Sequence, residues 1–147
     1  MDKRQELMGE FMDLFNEIVY LNKPALENAL KGYKLSEIEM IEHIEKIPQA
    51  NVTKLAQASY MTRGAISKLS KKLMEKGLIE SYQNEENKKE IYFKLTKKGK
   101  ELNQKHEELH EFFMERDKIV FEPMKKEEYD TIFRFIGRYR QHLKNMD

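Results

Sequence analysis

Arg63, Ser67 and Lys71 recur at intervals of four, and Gly64, Lys68 and Lys72 repeat that interval one residue on. On a helix the two rows lie side by side and make one face, opposite Ile66, Leu69 and Leu73. A face of cations, a hydroxyl and a glycine suits a polyanion. A guanidinium can donate two parallel hydrogen bonds to a base edge, ammonium groups neutralise phosphates, and a glycine lets the backbone come close. Arg63, in the first turn, is the candidate for the base edge; the later lysines are candidates for phosphate. Asn51 and Thr62 each precede an apolar-periodic run and read as helix caps at the margin of the same surface. Lys88 and Lys89 close a polar, turn-prone stretch that begins at Gln83, well placed to touch the same ligand.

The charge distribution supports that reading. Residues 51–100 hold twelve cationic and five anionic side chains, a net +7, whereas residues 1–50 carry −4 and residues 101–147 carry −2. A formal total of +1 over 147 residues hides a basic middle between acidic flanks. A protein-interaction module that never touches nucleic acid has no reason to concentrate charge in this way.

Other chemistry is thin. There is no cysteine, which excludes disulfides, thiolate metal sites and thiol redox switches. No nucleophile is paired with a base, and no glycine loop is arranged to cradle phosphate. Gly64 and Ser67 fall inside a helix rather than on a strand-to-helix elbow, so no catalytic residue is assigned. His106 and His110 have the i, i+4 spacing that can chelate zinc, with Glu107 adjacent. The plainer reading places His106 on a core stripe and His110 on an interface or pocket wall. With no third ligand evident, neither a metal nor a cofactor is expected. Phe11, Phe15, Tyr20, Phe112 and Phe113 could line an effector pocket, but most must serve as core. The longest apolar run, Ile18 to Leu21, is far too short for a bilayer, and the first residues lead into no signal-peptide core. The expectation is a cytoplasmic protein that does not engage a membrane.

The elements that must position these residues follow from periodicity. Residues 4–31 carry Leu7, Phe11, Leu14, Ile18, Leu21 and Ala25 on one stripe and Met8, Met12, Phe15 and Val19 beside it, a helix buried over much of its girth. Pro24 predicts a kink or break near Asn22, and Gly32 a stop. Ser36 and Glu39 have the spacing of a capping box for a short helix ended by Pro48. Asn51 caps the next helix, Ser59 to Met61 form a tight turn, and Thr62 caps a helix running to Lys76 and stopped by Gly77. Alternation then sets in. Leu78 to Tyr82 and Glu90 to Leu95 read as two strands of a hairpin, with Ile91, Phe93 and Leu95 on one face. Thr96 caps a long helix to about Val120, and Pro123 breaks it. In the last helix, about 126–145, Tyr129, Ile132, Ile136, Tyr139, Leu143 and Met146 alternate spacings of three and four, the seam of a coiled coil and so of a homodimer. Helix, tight turn, capped helix and hairpin is the order of a winged helix-turn-helix. The fold class is mainly α with a small β-hairpin. One domain spans 1–147, with 35–97 as the winged lobe and 1–32 and 98–147 as dimerisation helices.

Four runs carry a family resemblance: Leu35-Ser36, Val52-Thr53-Lys54-Leu55-Ala56, Leu73-Met74-Glu75-Lys76-Gly77-Leu78-Ile79-Glu80, and Leu95-Thr96-Lys97-Lys98-Gly99, the third and fourth at hairpin spacing. In this order they resemble the signature blocks of MarR-type regulators over nearly the whole chain. The resemblance implies a homodimer placing two recognition helices in successive major grooves of a pseudo-palindromic operator. It also implies repression of transcription that a small-molecule effector relieves. Ser81 stands where the family usually has Arg, and Asn87-Lys88-Lys89 where its wing tip usually reads Asp-Arg-Arg. Lysine is a hydrated point charge, so this wing should touch phosphate rather than read a narrow groove. Some metal-sensing members bind zinc through the helix that holds His106 and His110, which adds a zinc-responsive regulator as an alternative.

Overall fold

The computed structural model describes residues 2–146. In chain order it contains α1 (Lys3–Ala29), α2 (Leu35–Lys46), α3 (Val52–Ser59), α4 (Arg63–Glu75), β1 (Ile79–Tyr82), β2 (Tyr92–Leu95), α5 (Lys97–Phe121) and α6 (Lys126–Lys144). The chain falls into two compact units, one ending at His110 and the other beginning at Glu111.

In the first unit, Asp2 opens α1 through a reciprocal box. Its carboxylate accepts the Gln5 N–H at 2.9 Å, and the Gln5 side chain accepts the Asp2 N–H at 3.1 Å. Of the kink or break expected near Asn22, the break does not occur, and α1 continues through Pro24 to Ala29. The bond that proline removes would have ended on Tyr20, which is 81% exposed, so water can take its place. No residue of α1 is buried within the single chain, against the expectation of burial over much of its girth. Gly32 takes a positive φ of 92° in the turn that follows.

The capping box of α2 lies two residues earlier than Ser36 and Glu39 suggest. The Glu37 carboxylate accepts the Lys34 N–H at 2.8 Å, and α2 begins at Leu35. That register wins because Glu37, fully buried, also meets Lys76 from a distant helix. Asn51 caps α3 as expected, its Oδ1 accepting the Lys54 N–H at 2.9 Å. Tyr60 turns the chain in the left-handed region (φ 54°), and the Thr62 hydroxyl oxygen accepts the Ala65 N–H at 3.1 Å to open α4.

The end of α4 is a Schellman motif. The Leu78 N–H reaches Leu73 O and the Gly77 N–H reaches Met74 O, each at 3.0 Å, around Gly77 at φ 73°. Leu73 and Leu78, the apolar pair that accompanies this motif, are both fully buried. β1 and β2 then pair antiparallel, from Ile79↔Leu95 to Tyr82↔Tyr92. The Phe93 N–H bonds to Ala50 O at 2.8 Å, tying the hairpin to the connection before α3. β2 starts at Tyr92, leaving Ile91 half exposed outside the strand. Tyr92, expected on the open face, is buried against Tyr82, their rings 5.5 Å apart. Leu30, Ile38, Ile41, Ile44, Leu55, Ile66, Leu73, Leu78, Leu95 and Leu102 make one core beneath the helix-turn-helix. Thr96 opens α5, accepting the Gly99 N–H at 3.1 Å and donating its hydroxyl to Gly77 O at 2.6 Å.

The second unit holds the rest of α5 and all of α6, joined by a turn containing Pro123. The Glu128 carboxylate accepts the Lys125 N–H at 3.0 Å to start α6. No residue of α6 is buried. Ile132, Ile136, Tyr139, Leu143 and Met146 are 38–69% exposed, and Phe133, which the seam did not include, is 66% exposed.

Candidate nucleic-acid interface

The α4 face stands as its spacing predicts. Arg63, Gly64, Ser67, Lys68, Lys71 and Lys72 are all exposed, while Ile66 and Leu73 on the other side are fully buried. Ser70, absent from the predicted inward stripe, is buried there too. Among the described residues none of Arg63, Lys68, Lys71 and Lys72 has a carboxylate within ion-pair distance. A cation left unpaired on a rigid helix has lost no charge to its own domain and can give it to a ligand. Gly64 has open space around its Cα, so nothing within the chain requires a glycine there.

The caps are placed differently. The Asn51 oxygen is committed to Lys54, and its amide nitrogen lies 3.4 Å from Glu90. Thr62 is exposed but likewise holds a backbone N–H. Lys88 and Lys89 are exposed at the hairpin tip. The loop is held by its own polar groups: Gln83 donates to Lys88 O at 3.0 Å, and the Asn84 side chain accepts the Asn87 N–H at 2.8 Å.

A second constellation lies on the first part of α5. His106 Nε2 and His110 Nε2 are 2.8 Å apart, and His106 Nδ1 is 3.5 Å from Glu42 Oε2 on α2. Burial pushes His106 below its ordinary value, the charge of His110 pushes the same way, and Glu42 opposes them. Burial pushes Glu42 up, but its hydrogen bond and charge contact with Lys46 outweigh this and leave it low. Glu42, separated from the histidines by more than sixty residues, is the third donor that sequence spacing could not supply. The three donors lie within 4.8 Å of one another and are of the kind that holds zinc. Two nitrogens on one tetrahedral zinc stand about 3.3 Å apart, so as they lie the rings share a proton rather than a ligand geometry.

The same three residues border a cavity of about 810 Å³ whose wall also includes Ile18, Leu26, Tyr33 and Ile38. That volume suits a small organic molecule. Two buried polar atoms on its wall, Asn22 Oδ1 and His106 Nδ1, lack a hydrogen bond. Phe11, Phe15, Tyr20, Phe112 and Phe113 are not among its lining residues.

The winged arrangement has close counterparts. A model of the MarR family matches residues 34–91. The HTH-type transcriptional regulator PchR of Bacillus subtilis (strain 168) is 25% identical over 150 residues, covering 90% of this chain and 86% of PchR. The crystal structure of Streptococcus pneumoniae FabT in complex with DNA has a TM-score of 0.81 at 21% identity, covering 99% of this chain and 100% of FabT. Staphylococcus aureus MarR in complex with salicylate and kanamycin has a TM-score of 0.77 at 17% identity, covering 98% of this chain and 94% of that one. Residues 34–91 form a MarR-family domain. The chain is a transcriptional regulator and not an enzyme.

In this regulator α4, its cap and the hairpin were visible in residue types and spacing. The residues that anchor α4 to its surroundings were not. Lys76, read only as the last residue of a helix, reaches back to Glu37 on α2, and Lys98 donates to Lys76 O at 3.0 Å. Their only local sign is a buried-length spacing: Glu37 shares a face with the apolar residues Met40, Ile41 and Ile44.

Proposed function

We propose that this regulator binds double-stranded DNA as a homodimer, with α4 in the major groove and Lys88 and Lys89 on the flanking backbone. The single observation that carries it is the α4 face: four exposed cations with no ion pair among the described residues, set around Ser67 and Gly64 on a helix packed behind by buried Ile66 and Leu73. Arg63 reads a base edge, and Lys68, Lys71 and Lys72 hold phosphates. Such a surface has no use in a protein-interaction module. FabT, whose fold it shares, was crystallised with DNA, which supports the reading.

Exposed apolar stripes support dimerisation. A single chain leaves Met12, Phe15 and Val19 of α1, Ile119 and Val120 of α5, and Ile132, Ile136 and Leu143 of α6 exposed. Apolar stripes of this length on a soluble chain require cover, and a second copy supplies the complementary faces. No helix among the described residues is long and apolar enough to cross a membrane, in keeping with a cytoplasmic regulator. The cavity bordered by α1, α2 and the first part of α5 is the effector site of this proposal, and a small molecule bound there relieves repression. The salicylate complex of S. aureus MarR makes a small organic acid a suitable first probe.

Fluorescence anisotropy on a labelled random duplex at a series of salt concentrations tests the central claim. Two protomers contacting several phosphates each should give a slope of log K against log salt of about −6 to −10. Selected sites should be imperfect palindromes with half-sites about one helical turn apart. A slope near zero would sink the DNA-binding reading and leave protein interaction in its place.

A further inference from the structure

We propose that Glu37 and Lys76 are positioning residues for sequence recognition: their buried ion pair sets the angle at which α4 presents Arg63 to DNA. The proposal rests on the DNA-binding reading above and adds to it a part for two residues that face away from the DNA.

The geometry is a joint between two helix ends. Glu37 is fully buried in the first turn of α2, where its Oε1 accepts the Lys34 N–H at 2.8 Å. Lys76 caps the C-terminus of α4, and its ammonium lies 2.9 Å from Oε1 and 2.8 Å from Oε2 of that same carboxylate. The ammonium also sits 5.5 Å above the Tyr33 ring and 3.5 Å from Gly32 O. Negative charge at a helix N-terminus and positive charge at a C-terminus both agree with the backbone dipoles, so each helix end favours its own member of the pair. Burial opposes the carboxylate, yet the Lys34 N–H and Lys76 hold it below its ordinary range.

Among the described residues the lysines on the α4 face make no ion pair and are exposed; Lys76 is two-thirds covered, hydrogen-bonded to Oε1 and in ion contact with Oε2. An apolar pair would fill the same space, but its contacts would tolerate sliding, whereas an ammonium hydrogen-bonded to one carboxylate oxygen and in ion contact with the other is directional. Direction matters because α4 is a lever. Arg63 lies thirteen residues from Lys76, about 20 Å along the axis at 1.5 Å per residue. A tilt of about 5° at the joint would carry Arg63 through about 1.7 Å, more than a bidentate base contact accepts. Phosphate contacts, made by flexible ammonium groups, would survive that displacement.

The test compares affinity for a duplex selected by the wild-type protein from a random pool with affinity for unselected duplex. The double variant Glu37→Gln/Lys76→Met removes both charges together, so neither is left buried without a partner. Glu37→Asp keeps the charge but draws the carboxylate back by one methylene, and provides the same reading should the double variant fold poorly. Circular dichroism sets the assay temperature below the melting transition of each. The expected result is a tenfold or greater loss on the selected duplex for the double variant and several-fold for Glu37→Asp. Affinity for unselected duplex stays within about twofold and its salt slope is unchanged. Equal losses on both duplexes would show that the pair only holds the fold together. A slope shallower by about one per protomer would make Lys76 a phosphate contact instead. Unchanged affinity on both would show that the joint does not aim the helix. Any of these three overturns the proposal, whereas a wild-type protein without salt-dependent binding overturns the DNA reading beneath it.

Discussion

Gly99 is the one glycine whose side-chain hydrogen is required by a close approach. A Cβ added there would lie 2.1 Å from Leu78 O, 3.1 Å from Leu78 C and 3.3 Å from Leu95 Cβ. Bringing the first of these back to ordinary contact near 3.4 Å needs a displacement of about 1.3 Å. The carbonyl cannot simply swing away, because it accepts the Thr96 N–H at 3.0 Å and belongs to a residue with no exposure. Forcing the first turn of α5 off the strand costs about 1–3 kcal/mol as overpacking, and losing the Thr96 bond adds about 1–2 kcal/mol. Alanine returns about 1 kcal/mol of helix propensity. The net expectation for Gly99→Ala is a loss of about 1–4 kcal/mol. With a urea dependence of about 2 kcal/mol per molar, the unfolding midpoint should fall by about 0.5–2 M at fixed protein concentration. Gly64→Ala is the matched control: it meets open space, so its midpoint should hold or rise, while DNA affinity falls if the backbone approaches the groove there. A Gly99→Ala midpoint at or above wild type would refute the reasoning, since α5 could then yield without cost.

Other outcomes follow from the same geometry. Arg63→Ala should cost about 1–3 kcal/mol on a selected duplex and little on a random one, whereas Lys72→Ala should weaken both alike and make the salt slope shallower by about one per contact; equal losses for Arg63→Ala on the two duplexes would place sequence reading elsewhere. Ile136→Asp with Leu143→Asp should convert a dimer to monomer in sedimentation at micromolar concentration; a wild-type protein already monomeric there would remove the basis for the α6 seam. His106 is held below its ordinary 6.5 by burial and by His110. As pH falls beneath 6.5 the unfolded chain takes up a proton that the folded chain refuses, so stability is undiminished above that value and declines below it. His106→Leu should flatten urea midpoints measured from about pH 7.5 to 5.5, and an unchanged dependence would exclude His106 as its source.

Local backbone chemistry is what the sequence displays best. Asn51, Thr62 and Gly77 act through bonds to residues three positions away, so their types alone identify α3, α4 and the turn to β1. Where a distant partner decides, the reading slips. Glu39 and Glu37 are equally able to cap a helix on sequence, and only Lys76, thirty-nine residues on, selects Glu37. Tyr92 is buried against Tyr82 because the wing has a second partly covered side, which alternation counted as open. Pro24 fails to break α1 because a helix of 27 residues has enough bonds on either side to carry one gap in an exposed stretch. The histidine pair was legible as an i, i+4 spacing, but the Glu42 carboxylate that completes the cluster arrives only through the packing of α2 on α5.

The basic middle of the chain shows how a charge count becomes a surface. Twelve cations between residues 51 and 100 make no distinction among themselves in sequence. The fold sorts them. Lys54 bonds to Pro48 O and Gln49 O, Lys76 to Glu37, Lys98 to Lys76 O, and Lys94 pairs with Glu80 across the hairpin. These lysines close helix ends and join strands, and a polyanion would have to compete for them. Arg63, Lys68, Lys71 and Lys72 make no ion pair among the described residues and share one face, Lys72 acting on Glu37 only through its charge. Lys88 and Lys89 stand at the tip of the wing with their ammonium groups unpaired among the described residues. Lys97 and Lys100, exposed at the start of α5, likewise make no ion pair among the described residues, so a phosphate, which gains most from a cation that gives up no internal partner, has these eight cations to draw on. The lysines bonded inside the fold hold α4 and the hairpin in place, and the DNA contact proposed above would draw on the others.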